Sequence, residues 1–285
     1  MSGKNIRSAK LRKKRRRVFF IKMLYLLTLV GVSVGLFIYG FNTDSFKIQN
    51  VLVTGGQEFV NKEVEEYTTS NILAGSYFGV LPKQNILIYP KGEIRKKIMN
   101  DFPRIEDISF ELDPFKKQVL NISIKERQEN GVWCRNMGEY LDCYFIDKNG
   151  YVFAPAPTYS EGVVFSYYGG IQGSPIGQNF IDTTKFVELN SLIDVIKNNN
   201  EINFEPTGLE YTNSGEYKLL LGGGGYVLFS DSYGLAYAYD NLILAASKKE
   251  ITPDNLDYLD LRIPNKVFYK TRQGSEQSFD QESNS

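Results

Sequence analysis

The chain has 285 residues, 42% of them apolar and 14% aromatic, enough to fill real cores and too many for a largely disordered polymer. Its 33 basic and 33 acidic side chains cancel, yet residues 1–41 hold ten Lys or Arg and no acid, leaving 23 basic against 33 acidic side chains over residues 42–285. Histidine is absent and only two cysteines occur, which excludes His-based triads, His general bases, His metal ligands and four-ligand Cys/His zinc sites.

From Met23 to Phe41, 19 residues carry no charge, and as a helix they would reach roughly 28 Å, the depth of a bilayer's hydrocarbon core. The apolar stretch extends back to Val18, with Lys22 near enough to the end for its side chain to reach the headgroups. Residues 18–41 are therefore predicted to be a transmembrane helix. The preceding Lys10-Leu11-Arg12-Lys13-Lys14-Arg15-Arg16-Arg17 makes residues 1–17 a basic cytoplasmic tail and puts everything after Asn42 outside. A cleaved signal peptide would have a shorter apolar region followed by small residues, whereas this one ends Gly35-Leu36-Phe37-Ile38-Tyr39-Gly40-Phe41. The basic run could also touch anionic lipid or nucleic acid; the reading adopted is a topology determinant with incidental lipid contact.

Beyond the span, residues 46–53 read as a strand ended by Gly55-Gly56. A helix follows from about Asn61, with Val60, Val64 and Tyr67 on one stripe. After a Gly- and Pro-rich connection, residues 92–101 predict a second helix carrying Ile94, Ile98 and Phe102, stopped by Pro103. Ile108, Phe110 and Leu112 alternate, as do Leu120, Ile122 and Ile124 after Asp113-Pro114-Phe115, the pattern of a hairpin with one buried face. Residues 42–128 thus predict a strand, helix, helix, strand, strand domain.

Residues 129–270 are richer in Gly and Tyr and predict a second domain, mixed α/β with a mainly antiparallel sheet, so that the fold class is α+β. Residues 144–153 form its clearest hairpin, since Asn149-Gly150 supplies the positive dihedrals of a tight turn. Two helices interrupt the sheet, one with Phe186, Leu189, Ile193 and Ile196 on its apolar face, the other with Leu235, Tyr239, Leu242 and Ala246. Between them residues 217–221 and 226–229 pair around four glycines, and a last strand lies within residues 258–269. Residues 271–285 are polar, lack periodicity and are expected to be a disordered tail.

A basic tail and single span precede Phe46-Lys47-Ile48-Gln49-Asn50-Val51-Leu52-Val53-Thr54-Gly55. Ile124-Lys125-Glu126-Arg127, the 144–153 hairpin and Tyr258-Leu259-Asp260-Leu261-Arg262 follow in order. In this order and spacing, from about Lys10 to Lys270, the chain resembles the FtsQ/DivIB family of bacterial cell-division proteins. The resemblance implies a POTRA-like first domain, an FtsQ-type β domain, no catalysis and no cofactor. It implies a bitopic scaffold of the inner membrane at the division septum, holding FtsB-like and FtsL-like partners during septal peptidoglycan synthesis. The Tyr-rich sheet, the four glycines, the paired cysteines and a long connection between Ser70 and Pro90 depart from the family's usual pattern.

A scaffold of this kind needs an exposed sheet edge or aromatic groove, where a partner strand can add main-chain hydrogen bonds. The last strand is the natural candidate, because Pro264 cannot donate to a central ladder, so the chain either forms an edge or breaks there. The expected partner-binding residues are Asp260, Arg262, Ile263, Lys266, Val267, Phe268 and Tyr269, with Tyr239 as a groove wall and Arg262 as a fork for a partner carboxylate. The competing reading pairs Asp260 with Arg262 internally and makes Lys266 and Lys270 protective edge charges. Glu93, Arg95, Lys96 and Lys97, on an exposed helix face, could contact another division protein, and the reading adopted is a solvated face. Cys134 and Cys143 form either a disulfide, worth roughly 2.7 kcal/mol on the chain-entropy model, or two buried thiols.

Other motifs lack the context their chemistry needs. The run from Gly222 to Gly225 is followed by Tyr226 rather than Lys-Ser/Thr and a helix, so it reads as a flexible loop. Asn121-Ile122-Ser123 falls in a predicted strand, and Asp147 reads as a turn residue. Two other functions remain in competition: a membrane-anchored cell-wall hydrolase using carboxylates alone, and a POTRA-type assembly chaperone.

Overall fold

The structure, a computed structural model, describes residues 6–113, 118–137, 142–160, 162–199, 203–212 and 215–280. It opens with α1 (Ile6–Phe41), 36 residues and about 54 Å long. Within it Arg12–Phe41 is long and apolar enough to cross a membrane. The rest is mixed α+β and divides into two units: residues 107–125 join residues 1–101, and residues 102–106 join residues 126–285.

The first unit contains β1 (Asn50–Thr54), α2 (Glu58–Tyr67), a π turn at Thr68–Leu73, β2 (Ser76–Tyr77), β3 (Leu81–Pro82), α3 (Lys91–Asp101), β4 (Ile105–Asp113) and β5 (Val119–Glu126). Its three-stranded sheet has the order β1-β5-β4, with β1 parallel to β5, and β2 and β3 form a separate small hairpin. Val60 and Val64 of α2, Ile94 and Ile98 of α3, and Ile108, Leu120, Ile122 and Ile124 of the strands are all buried. That is most of the expected helix stripe meeting most of the expected strand alternation; Tyr67, Phe102, Phe110 and Leu112, expected on the same faces, are only half-buried. The first strand starts later than its sequence suggests, because Asp44–Phe46 coils into a single 3-10 turn. The first helix starts earlier, at Glu58, and Asn61 instead clamps Gly56 through both its amide nitrogen and its carbonyl oxygen.

The second unit carries a ten-stranded sheet built from β6 (Gly131–Cys134), β7 (Cys143–Ile146), β8 (Val152–Pro155), β9 (Ser166–Gly169), β10 (Pro206–Tyr211), β11 (Glu216–Leu221), β12 (Tyr226–Ser230), β13 (Leu256–Asp260), β14 (Lys266–Thr271) and β15 (Gln277–Asp280). The order is β15-β14-β13-β12-β11-β10-β9-β6-β7-β8. Three neighbouring pairs are parallel, β9 with β6, β9 with β10, and β12 with β13. Parallel neighbours need a crossover rather than a tight turn. Helix α4 (Thr183–Asn198) provides the one from β9 to β10, and α5 (Leu235–Ala246) the one from β12 to β13.

The four predicted apolar residues of α4 are buried, and Asp182 caps the helix by accepting from the amides of Thr184 and Lys185. In α5 the buried stripe is turned from the expected one: Ala238, Asn241, Leu242 and Ala245 face the core, while Leu235, Tyr239 and Ala246 are partly buried at its margin. Alanines on the inner face let this helix sit close to the sheet. The core between helices and sheet is aromatic, with Tyr167 within 5.1 Å of Phe186 and 5.5 Å of Phe180, ring centre to ring centre.

Residues 222–225 are not a loose loop. A Cβ on Gly223 would come within 2.4 Å of the Pro253 carbonyl oxygen, and one on Gly225 within 2.6 Å of that of Leu256, so glycine is what lets the β11–β12 turn press against the chain entering β13. Cys134 and Cys143, left open between disulfide and thiols by the sequence, are directly opposite in the β6–β7 ladder with Cα atoms 4.1 Å apart and are bridged. Nor does the chain lose regular structure at Thr271, because β15 runs to Asp280; residues 281–285 lie outside the described residues.

Candidate functional site

The candidate site is the end of the sheet formed by β13, β14 and β15, with the 261–265 connection and the start of α5. Alternation in β14 sends Val267 and Tyr269 into the core and leaves Lys266 exposed and Phe268 half-buried on the other side. Burying each of the two inward side chains contributes about 1.5–3 kcal/mol.

The expectation that β14 is the sheet edge is corrected. Its backbone pairs with β13 on one side and with β15 on the other, in the register Lys266↔Asp280, Val267↔Phe279, Phe268↔Ser278 and Tyr269↔Gln277. Pro264 marks the break that was the other expectation: the single strand expected within residues 258–269 is two, β13 and β14, and Pro264 falls in the connection between them, where no ladder bond is needed of it. The edge is β15. Its inventory of anchors is short: Phe279 meets the Tyr269 ring at 5.9 Å and lies under Lys248, and Gln277 abuts the Tyr269 hydroxyl. In the connecting turn, Glu276 accepts from the Tyr258 hydroxyl. That bond to a carboxylate, then burial, holds the Tyr258 phenol protonated up to about 12. Burial and then donation to Glu250 at 2.7 Å do the same for Tyr269, also to about 12.

Arg262 does not offer an open fork. Its Nε and Nη2 donate to the two carboxylate oxygens of Asp260 at 2.9 and 2.7 Å, and Nη1 donates to Glu216 Oε2 at 3.0 Å. The guanidinium's affinity for its proton is raised chiefly by Asp260. The internal pairing weighed from the sequence is the arrangement found, and it braces the turn after β13 against β11. Lys270, likewise, pairs with Asp257 at 2.8 Å.

Tyr239 faces away from this turn: its hydroxyl accepts from Asn199 Nδ2 at 3.0 Å and its ring packs on the core. The tyrosine that reaches the turn is Tyr237, whose hydroxyl accepts from the Asn265 amide at 3.0 Å and donates to the Ile263 carbonyl at 3.4 Å. Tyr237 in turn meets the ring of Tyr233 at 5.7 Å. Tyr233, Tyr237 and the exposed Ile263 therefore make an aromatic and apolar shoulder beside the sheet end. Sequence reasoning missed Tyr237; its signal was the Tyr233/Tyr237 spacing of four.

The other residues singled out fall elsewhere. Asp147 is a turn residue as expected, its Oδ1 accepting from the amides of Asn149 and Tyr151, and its Oδ2 also receives Arg127 Nη1 at 2.5 Å. Glu93 is bound by Lys83 and Lys97, and Arg95 by Asp107. A polar cleft of about 910 Å³ opens elsewhere in the second unit, with Glu205, Asp254, Lys197, Asn199, Thr207 and Phe165 among its walls. Lys197 sits 4.5 Å from the Phe165 ring centre, and burial lowers its affinity for its proton. No group of three or more Cys, Asp or Glu able to hold a metal occurs among the described residues.

No model of a known protein family matches the sequence, and no curated protein matches it significantly.

Proposed function

We propose that the chain is a non-catalytic single-span membrane scaffold, of the kind the FtsQ/DivIB resemblance implies. α1 anchors it, the N-terminus is cytoplasmic, and the two units lie outside at the division septum. The order β1, α2, α3, β4, β5 of the first unit, with the small β2–β3 hairpin inserted between its helices, supports a POTRA-like module, and the Cys134–Cys143 disulfide fits an oxidising, extracytoplasmic compartment. The observation that carries the proposal is the sheet end: a four-residue edge strand with one apolar anchor, flanked by the Tyr233/Tyr237/Ile263 shoulder. There an FtsB-like or FtsL-like segment docks by strand addition, taking its main-chain bonds from β15 and its side-chain contacts from the shoulder.

Photo-crosslinkers at positions 237, 263, 278 and 279 in growing cells test this. The expected product is one single-span partner captured from all four. Capture of a divisome protein only from the opposite edge, at the exposed Pro155 of β8 or Pro157 just after it, overturns the placement of the site.

One observation favours a second reading, a carboxylate hydrolase of the cell wall: Glu205 and Asp254 share the polar cleft. Turnover of peptidoglycan by the purified chain that disappears in both Glu205→Gln and Asp254→Asn would establish it over the scaffold.

A further inference from the structure

The connection between α2 and α3 carries more exposed apolar surface than a soluble loop should. Residues 71–90 contain no acidic residue and a single lysine, in a region where acids otherwise outnumber bases. Phe78 stands at the tip of the β2–β3 hairpin with 97% of its surface exposed, and Leu87 is 63% exposed; Val80 and Phe46 are exposed as well. Phe78 also has φ +52, next to Gly79 at +72, in a turn closed by the Val80 amide donating to the Tyr77 carbonyl at 3.1 Å. A bulky residue in the left-handed region is strained, and among the described residues Phe78, 97% exposed, is covered by no neighbour that compensates it.

The same connection is fastened to the outer end of α1. The buried side chain of Asn85 donates to the Phe41 carbonyl at 2.8 Å, and its Oδ1 accepts from the Leu87 amide at 2.9 Å. Asn42 Nδ2 donates to the Val80 carbonyl at 3.2 Å. The Ile86 amide donates to the Phe46 carbonyl at 2.8 Å, so Phe46 and Leu87 are held beside the same junction. Val80 is thus tied to the first residue beyond the apolar span, and Phe78 lies two residues away, at most about 7 Å along the chain. Phe37 and Phe41 lie ring against ring, 4.3 Å between centres, on one face of the helix near that level, with Tyr39 on another, as aromatic side chains gather at a membrane boundary.

We propose that this connection is a membrane-seated wedge: Phe78, Val80, Leu87 and Phe46 insert into the outer headgroup and acyl boundary around the end of α1. The occupant of the patch is lipid, because the patch is continuous with the end of the helix that crosses it and lacks the acidic residues that an anionic surface would repel. The hairpin then fixes the first unit against the bilayer rather than leaving it on a swivel. This rests on the reading of α1 as a membrane span.

Single tryptophans placed in the full chain, reconstituted in vesicles whose lipids are brominated at defined acyl depths, test both layers. The native Trp133 is buried and gives a constant background. Phe78→Trp and Leu87→Trp should be blue-shifted and lose most of their added emission to bromines roughly 5–10 Å below the headgroup boundary. Leu29→Trp should be quenched by bromines at the bilayer centre. Quenching of Trp at position 29 with water-like emission at 78 and 87 overturns the wedge and leaves the anchor standing. No quenching at 29 overturns the anchor and the wedge with it. Blue-shifted but unquenched emission at 78 and 87 overturns the wedge in favour of a protein cover.

Discussion

Two hairpins close the two ends of the ten-stranded sheet, and they are built to different standards. β7–β8 is fixed at every level: Asp147 organises the turn, Gly150 takes φ +81, Val152, Phe153 and Ala154 are buried, and the disulfide ties β7 to β6. Arg127 adds a buried ion pair to Asp147 and lies 4.0 Å from the centre of the Tyr151 ring. β14–β15 is firm on one strand only. β14 is anchored by Val267 and Tyr269 in the core, while β15 is held by its ladder, one phenylalanine and a few polar contacts. A sheet with one locked end and one lightly held end presents the second for exchange or extension, which is what the proposed docking by strand addition requires.

The largest test of that contrast is Asp147→Ala. Removing it takes the carboxylate from Arg127, whose side chain is 13% exposed and keeps, among the described residues, only the Nε donation to the Pro103 carbonyl and the Tyr151 ring, and frees two amides of the turn. The expected loss is about 3–5 kcal/mol of the second unit's stability, read from urea unfolding of the full chain in micelles by Trp133 fluorescence. Next comes Cys134→Ser with Cys143→Ser, expected to cost roughly 2–3 kcal/mol for so short a closed loop. A loss under about 1 kcal/mol in both would show that the supposedly locked end is no firmer than the other.

The locked end was also the legible end. Asn-Gly between alternating apolar residues identifies β7–β8, and the stripe of Phe186, Leu189, Ile193 and Ile196 identifies α4, because in both the burial pattern follows local periodicity. β15 was hidden because an edge strand paired through its backbone needs little apolar patterning; Gln277, Ser278 and Asp280 surround a lone Phe279. In α5 the inner face is Ala238, Asn241, Leu242 and Ala245, whose small and polar members leave a weak apolar stripe from which the helix's rotation cannot be read. The choice of Tyr239 over Tyr237 followed, since residues two apart on a helix face different ways. The disulfide stayed open because spacing does not reveal strand register.

Phe279→Ala gives a smaller global effect and a large local one. The side chain is only partly buried, so the second unit should lose no more than about 1 kcal/mol. Hydrogen exchange should nonetheless accelerate in β15 and in the β14 amides that face it, while β7 and β8 keep their protection. Equal acceleration at both ends would mean that the sheet opens as one cooperative body and that β15 is not a separately yielding strand.

The mildest perturbation is alkaline pH. Tyr258 and Tyr269 both hold their protons up to about 12 in the folded chain, against about 10 when unfolded. Between those values the unfolded or detached state binds fewer protons than the folded one, so the stability these phenols confer is complete below pH 10 and falls as pH rises toward 12. Ionisation also sets a phenolate against Glu276 and another against Glu250, the carboxylates that the two hydroxyls now donate to. The β15 hairpin should therefore release first. In a Phe279→Trp variant, the added emission should shift to that of exposed indole between pH 10 and 12 while Trp133, at the disulfide-bonded end, keeps its buried spectrum. Simultaneous exposure of both indoles would place the alkaline weakness in the core and remove the distinction between the two ends.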